Sequence, residues 1–389
     1  MRAFLSVLAL LLVAASSAPP RYLVAWAMEA QEHPAHGEGR DVLTVFDISD
    51  GLNFGKLVAY VPTPIRGMMA HHTNTTMPAN HRLFANDFMA AESQIIDVTD
   101  VRHPLLAEAF TDAAGYTHPH SFATLSNGNV LATYQIKGNA DEPGALVELD
   151  DRGNVVKATS AAAPDIDENI RPYSVLAIES LDRVVTTSAP MPPLNTKAPT
   201  SVVQIWRLSD LTLLKTIPLS KAPFTTSGAT YSDDALLLDD GKTVLVKTAT
   251  CGLFALTGID GESPNANYVY DFGGRLCSGV PVLAGHYWVE AQMSAHSLIA
   301  LDVRDPMHPV EVSRLYLGPT AKPHWLAIEP GTGNIVINGY GSLLHRISFA
   351  SIDLRTGAMT LDSRSIDLNR AWPDGWNGPL IAHGTVFYR

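Results

Sequence analysis

Short segments in which apolar and polar residues alternate recur along the chain, and each is followed by a polar or acidic residue and a turn signal. Alternation with a period of two is typical of β-strands. The copies are Leu43–Asp50, Gln94–Asp100, Leu146–Asp151, Gln204–Asp210, Leu253–Thr257, Leu298–Val303 and Ser348–Leu354. Equivalent positions in successive copies lie 45 to 59 residues apart. Because this spacing fits one four-stranded blade per copy, we predict an all-β, seven-bladed β-propeller.

Turn signals separate the predicted strands within each repeat. Ser126–Asn129, Asp239–Lys242 and Gly331–Asn334 each join two apolar segments, and Gly, Asn and Asp are residues that tight turns favour. Helical periodicity is essentially absent, which argues against an α/β fold.

The two ends of the chain complement each other. Gly378–Phe387 follows the last repeat and lacks a blade of its own, whereas Tyr22–Trp26 and the strand through Asp47 lack an inner strand. We predict that the C-terminal strand closes the blade that the N-terminal strands begin. Such pairing would also hide sheet edges that favour aggregation.

The first 18 residues are typical of a secretory signal peptide. A charged start at Arg2 precedes an apolar run to Val13 and small residues through Ala18, and Pro19–Pro20 disfavours a buried N-terminal helix as the alternative. We expect cleavage near Ala15–Ala18, which leaves residues 19–389 as a single propeller domain, periplasmic or secreted. No later segment is apolar enough to cross a membrane.

The composition is that of a globular, acidic protein. Apolar residues make up 46% of the 389 residues, charged residues 17%, and the net charge is −12. This balance disfavours nucleic acid as a partner, because phosphates demand clustered Lys and Arg. Cys251 and Cys277 are the only cysteines, and in an oxidising compartment they are as readily paired as free.

Histidines recur at one phase of the repeat, where the inner strands of the blades begin. They are His71 and His72, His118 and His120, His324, and His383. The four blades that supply them are consecutive around the predicted ring, so we expect the side chains to converge on one arc of the central channel. Neutral imidazole is a common metal ligand, and the pattern predicts a metal site.

Each histidine pair leaves a choice of ligand open. Side chains of adjacent strand residues point to opposite faces, so we expect at most one of His71 and His72 to be a ligand. His118 and His120 share a face if the strand is extended, although Pro119 between them can bend it. Imidazole donors with few carboxylates favour copper, with zinc or iron as alternatives, over magnesium or calcium.

The histidine motifs resemble those of the selenium-binding protein family, which includes methanethiol oxidases. The resemblance rests on Ala70–Thr73, on His118–His120 with the segment through Val147, and on Gly378–His383. It implies a seven-bladed propeller with a histidine-bound copper that supports oxidation of small thiols by dioxygen, and it assigns ligand roles to His71 or His72, His118 or His120, and His383. His324 rests on its phase alone. One departure is that Thr73–His81 lacks the cysteine pair that family members commonly carry there.

The sequence is therefore compatible with two classes of function. The first is a copper-dependent oxidoreductase that acts on a small molecule such as a thiol, with a metal-activated hydrolase or lyase as a variant. The second is a non-enzymatic propeller that binds a metal, a selenium compound or a protein partner, because propellers host unrelated functions. An accessible pocket at the histidines favours the first class.

Overall fold

The architecture is that of a β-propeller built from antiparallel sheets. This computed structural model describes residues 20–29, 39–64, 69–138, 142–163, 165–166, 170–191, 201–219, 231–274 and 276–388. The predicted signal peptide, residues 1–18, lies outside these residues. Apart from two short 3₁₀ turns, Glu179–Leu181 and Met293–Ala295, the regular structure described is β-strand. Within the described ranges, no helix has the length and hydropathy that crossing a bilayer requires.

The strands fall into successive antiparallel groups of four, numbered here along the chain. Group 1 contains β1 (Tyr22–Glu29), β2 (Asp41–Asp47), β3 (Lys56–Pro62) and the last strand of the chain, β29 (Asn377–Tyr388). Group 2 contains β4 (Ala70–Thr73), β5 (Arg82–Asp87), β6 (Glu92–Asp97) and β7 (Leu105–Phe110). Group 3 contains β8 (Tyr116–Thr124), β9 (Val130–Lys137), β10 (Ala145–Leu149) and β11 (Val155–Ser160).

The remaining groups repeat the same order. Group 4 contains β12 (Pro172–Ile178), β13 (Arg183–Ser188), β14 (Val202–Arg207) and β15 (Leu213–Pro218), and group 5 contains β16 (Ser232–Leu237), β17 (Val244–Thr248), β18 (Gly252–Thr257) and β19 (Asn265–Asp271). Group 6 contains β20 (Val282–Ala284), β21 (Tyr287–Gln292), β22 (Ser297–Asp302) and β23 (Val310–Tyr316), and group 7 contains β24 (Ala321–Ile328), β25 (Asn334–Gly341), β26 (Arg346–Ile352) and β27 (Met359–Asp367). A short strand, β28 (Asn369–Ala371), pairs with the start of β29.

By hydrogen bonding, the described strands form six sheets, because groups 4 and 5 merge into one sheet of eight strands. The two groups meet at the single residue pair Ser188–Ser232. The predicted pairing of the chain ends is present, since β29 runs antiparallel to β1 from Tyr22–Tyr388 to Glu29–Leu380.

The apolar core lies between the groups. Each cluster of buried apolar side chains draws on two successive groups, and one cluster joins group 7 to group 1 through Trp325, Phe349, Leu23 and Phe46. Each fully buried side chain of this size contributes about 1.5–3 kcal/mol to stability. The face-to-face packing of sheets therefore brings the inner strands together. Contacts link β24, β29, β4, β8, β12 and β16 in that order, and β20 contacts β24.

A disulfide joins groups 5 and 6. Cys251, in the turn between β17 and β18, is bonded to Cys277, which precedes β20. Both cysteines are buried. The pairing that the sequence left open is therefore settled as a bond that pins the start of one inner strand to its neighbouring sheet.

Candidate metal centre

Five of the predicted histidines converge at one place. His71 and His72 lie on β4, His120 on β8, His324 on β24 and His383 on β29. These are inner strands of groups 7, 1, 2 and 3, which follow one another around the channel. All five side chains are buried, with His120 fully inaccessible and His324 the most exposed at 8%. The predicted convergence on one arc is therefore present.

The imidazole rings are in direct contact. The ring centroids of His71 and His383 are 4.3 Å apart, and those of His72 and His120 are 4.2 Å apart. His324 lies at the edge, 4.6 Å from His383. One ring nitrogen each of His71, His72 and His383 lies within 4.8 Å of the other two. Two nitrogens bound to one ion by bonds of about 2.0–2.1 Å lie at most about 4.2 Å apart, so the three rings would draw closer together on binding a shared ion.

His71 and His72 do not point to opposite faces, contrary to the alternation expected of adjacent strand residues. Their rings stack in parallel with centroids 4.2 Å apart, and both side chains are buried. The register between β4 and β5 shifts between Ala70 and Thr73, and such an irregularity removes the strict alternation of side chains. Both histidines are therefore available to the same site.

Backbone carbonyls orient two of the rings. The Nδ1–H of His120 donates to the carbonyl of Tyr173 at 3.0 Å, and the Nδ1–H of His324 donates to that of Ser278 at 2.8 Å. A carbonyl can only accept, so each neutral ring carries its proton on Nδ1 and has a free lone pair on Nε2. This arrangement is typical of metal-binding histidines.

Ser121 connects two histidines from different strands. Its Oγ lies 3.3 Å from Nδ1 of His72 and 3.1 Å from Nδ1 of His120. Both hydrogen bonds leave the Nε2 atoms of these rings directed elsewhere.

Several buried ring nitrogens in the cluster lack a hydrogen-bond partner. They are Nδ1 of His71, Nε2 of His72, Nε2 of His120 and both nitrogens of His383. Buried polar atoms are almost always hydrogen-bonded, and groups left over call for an explanation such as an ion. A shared metal ion would account for one nitrogen of each ring, since a neutral imidazole offers one lone pair and keeps a proton on its other nitrogen, so the residues fit a metal.

Burial keeps all five imidazoles neutral. It lowers the pKa of His120 to about 3 and that of His324 to about 4. The pKa values of His71, His72 and His383 are also well below the usual value, first because of burial and then because neighbouring histidines repel a second positive charge. Neutral imidazole is the form that binds metals.

Side-chain amides hold the histidine-bearing strands in place. The Oδ1 of Asn86 accepts from the backbone N–H of His72 at 2.6 Å, and its Nδ2 donates to the carbonyl of Pro119. Asn338 donates to the carbonyl of His383 at 3.2 Å. Because these amides are buried, they fix β4 against β8 and β29 against group 7.

His118 lies outside the cluster. It has a positive φ of 60°, and its Nδ1 is hydrogen-bonded to Oγ1 of Thr117 at 3.0 Å. Its nearest described ring is Phe88 at 5.4 Å, and Phe88 in turn lies 6.0 Å from His71. The left-handed backbone at His118 and the register shift between Pro119 and Phe122 thus separate the two histidines of this pair, and His120 is the one that enters the site.

Aromatic side chains complete the wall around the histidines. The ring of Tyr173 lies 3.6 Å from that of His120, and Trp325 lies 5.1 Å from His72. Tyr173 belongs to group 4 and extends the histidine arc by one inner strand.

A channel of about 790 Å³ leads to the cluster from one end of the inner strands. Its lining includes His72 and Ser121 as well as residues from groups 4 to 7. Its volume falls in the range of small-molecule sites. The site therefore has an accessible pocket on the side of His72.

A buried charged cluster on the opposite arc was missed by the sequence analysis. The Nζ of Lys247 lies 2.9 Å from Oδ2 of Asp233 and 3.5 Å from Oε1 of Glu290, and it donates to the carbonyl of Cys277. Asp234 is the adjacent carboxyl on β16. A signal was present, because Lys247 and Glu290 each stand alone in an apolar strand segment.

Solved structures share this architecture at low sequence identity. A hypothetical selenium-binding protein from Sulfolobus tokodaii has a TM-score of 0.75 at 13% identity, over 95% of this chain and 94% of that one. The periplasmic gluconolactonase of Pseudomonas aeruginosa has a TM-score of 0.64 at 13% identity, over 95% and 99%. A 6-phosphogluconolactonase-like protein from Bacteroides fragilis has a TM-score of 0.62 at 11% identity, over 95% and 98%. No protein-family model and no curated protein matches the chain.

Proposed function

We propose that the protein binds a transition metal, copper before zinc or iron, and that with copper it acts as an oxidoreductase on a small molecule such as a thiol. His71, His72, His120 and His383 would hold the metal, and His324 stands beside them. The observation that carries the proposal is a buried set of neutral imidazoles in ring contact, with unpartnered nitrogens in four of them and with one nitrogen each of His71, His72 and His383 within 4.8 Å of the other two.

The donor set supports this choice of metal. It consists of imidazole nitrogens, which suit copper, zinc and iron, whereas calcium and magnesium prefer oxygen ligands. Bound copper would supply one-electron chemistry and reactivity toward dioxygen. The chain's own residues orient the rings through Ser121 and the carbonyls of Tyr173 and Ser278, and they exclude bulk water by burial.

We also propose that the groups of four strands are the seven blades of one ring. The apolar clusters between successive groups, including the one between groups 7 and 1, support this proposal. Groups 4 and 5 are joined into one sheet by a single residue pair. This is a minor contact compared with the pairing of four strands within each group, so the two groups can be counted as separate blades.

An extracytoplasmic location is part of the proposal. The disulfide between Cys251 and Cys277 supports it, because such bonds persist in oxidising compartments. The signal-like residues 1–18 support it independently.

The motifs shared with selenium-binding proteins support the oxidoreductase reading over a hydrolytic one. His71, His72, His120 and His383, which carry that resemblance, are the residues in ring contact. The missing cysteine pair after His72 means that a mechanism in this chain would have to proceed without those thiols.

The second candidate function is metal binding without catalysis. The channel that reaches His72 favours catalysis over it, since a site for storage alone does not require a pocket of this volume. Lactonase-like neighbours keep metal-activated hydrolysis as a variant of the same site.

Metal analysis tests the proposal directly. The chain would be produced with export, and metal content measured for the wild type, His120→Ala and His383→Ala. His308→Ala is the matched control, because His308 is an exposed histidine paired with Asp305. We expect about one copper per chain in the wild type and the control, and loss in both site variants. Equal metal content in all four proteins would refute the site.

Activity is tested separately on the metal-loaded protein. Oxygen consumption with methanethiol and with longer alkyl thiols should exceed that of the His383→Ala protein. If full metal loading is accompanied by no thiol-dependent oxygen uptake, thiol oxidation is excluded and the binding function remains.

A further inference from the structure

The channel that reaches His72 has two unlike sides. Residues from groups 2 and 3 make one side largely polar, whereas groups 4 to 7 make the other side apolar. The polar side includes Thr73, Asn74 and Thr124, and the apolar side includes Val175, Leu236 and Leu326. A pocket of about 790 Å³ with this division fits an amphipathic molecule larger than a one-carbon thiol.

The charges at the channel wall are acidic or neutral. Among the described residues that line it, the ionisable side chains are His72, Asp234 and Glu179, and no lysine or arginine is present. His72 is kept neutral by burial, which lowers its pKa. Asp234 lies near the start of its inner strand, as His72 does.

The nearby lysine cannot neutralise Asp234 fully. Lys247 pairs with Asp234 in the β16–β17 register, but its ammonium contacts Asp233, Glu290 and the carbonyl of Cys277. An ammonium has three N–H donors, so these contacts occupy it. Lys247 thus supplies one positive charge near three carboxyl groups, and the carboxyl beside the channel, that of Asp234, has no direct contact with the ammonium.

We infer that this channel binds an organic ammonium compound, with the charged nitrogen at the Asp234 carboxyl and the carbon skeleton along the apolar side formed by groups 4 to 7. The inference goes beyond the proposed metal chemistry and does not require a metal. It places the nitrogen at the same end of the channel as His72.

The electrostatics of Asp234 add a coupling to protons. Burial raises its pKa well above the usual value, and the charges of Asp233 and Glu290 raise it further, against the opposing effect of Lys247. Tyr173 faces the same carboxyls. An ammonium ion beside Asp234 favours the ionised form, so binding is expected to release a proton from a protonated Asp234.

Calorimetry on metal-free, full-length protein tests the inference. Benzylamine is the probe, and benzyl alcohol is the neutral molecule of matched size. We expect one benzylamine site per chain, with at least tenfold weaker binding of the alcohol. Titrations in buffers of different ionisation enthalpy should show proton release with the amine.

The Asp234→Asn variant should weaken benzylamine binding at least tenfold and abolish proton release, while Asp305→Asn, at an exposed aspartate, should change neither. If the variant fails to fold, the amine and alcohol comparison in the wild type still decides. Equal binding of amine and alcohol, or undiminished amine binding by folded Asp234→Asn, overturns the inference. Because no metal is present, either result is independent of the metal analysis.

Discussion

The Nδ1–H of His324 donates to the carbonyl of Ser278 at 2.8 Å, which ties the candidate metal centre in group 7 to the segment that precedes β20 in group 6. Ser278 follows Cys277, whose sulfur is bonded to Cys251 and whose carbonyl accepts from Lys247. The segment Cys277–Ser278 therefore contacts the histidine cluster, carries one end of the disulfide and contacts the buried charges. Perturbing any of them is expected to affect the others.

Replacement of Ser121 tests how the rings are oriented. Ser121→Ala removes the hydroxyl that contacts both His72 and His120. Loss of such supporting hydrogen bonds typically weakens metal affinity about 10- to 100-fold. Competition against a chelator would measure this effect for copper. Ser363→Ala, at an exposed serine, should retain wild-type affinity, and equal affinities for the two variants would contradict the assigned role.

Stability of the metal-free protein should depend on pH through the buried histidines. Their pKa values are lowered in the folded state, to about 3 for His120 and about 4 for His324. Below the unfolded pKa of about 6.5, the unfolded chain binds more protons, so stability falls as pH falls. At about pH 5.5, each of these two histidines lowers the free energy of unfolding by about 1.4 kcal/mol relative to its value well above the unfolded pKa.

Urea unfolding between pH 7.5 and 5 would measure this dependence. His120→Gln should reduce the slope of unfolding free energy against pH by up to one proton, whereas His308→Gln should leave it unchanged. An identical slope for the wild type and His120→Gln would show that His120 titrates normally in the folded protein.

Removal of the disulfide should lower stability and metal affinity together. The bond closes a loop with a sequence separation of 26 residues, for which loss of the cross-link costs about 3–4 kcal/mol. The Cys251→Ala, Cys277→Ala double variant would be compared with the wild type by urea unfolding and by copper competition. A stability loss with unchanged copper affinity would show that the Ser278 segment keeps its position without the bond.

Lys247 is expected to be essential to the buried charged cluster. Lys247→Met leaves Asp233, Asp234 and Glu290 without their cation, and breaking a buried pair in this way costs about 3–5 kcal/mol. Adding Asp233→Asn should restore part of the loss, because it removes one of the stranded charges. Unfolding free energies of the two variants and the double variant form the measurement, and strictly additive losses would argue against a direct pair.

The repeat pattern predicted the strands, the pairing of the chain ends and the phase at which histidines meet. Strand periodicity and turn residues are local properties, so Tyr22–Trp26 and Gly378–Phe387 could be matched before any contact was known. The same phase argument placed His71, His72, His118, His120, His324 and His383 on one arc, because equivalent positions of inner strands lie at one height.

Which histidines meet was decided by the tertiary structure. A register irregularity in β4 turned His71 and His72 toward the same site, and the left-handed backbone at His118 with the register shift after Pro119 took His118 away from it. Lys247 and Asp233 come from separate strands, and Glu290 from a third, so their pairing depends on how two groups pack. The sequence by itself determined the repeating strands and which residue types reach the axis. Irregular backbone and contacts between groups, which no local periodicity encodes, decided which histidines meet and how the buried charged cluster forms.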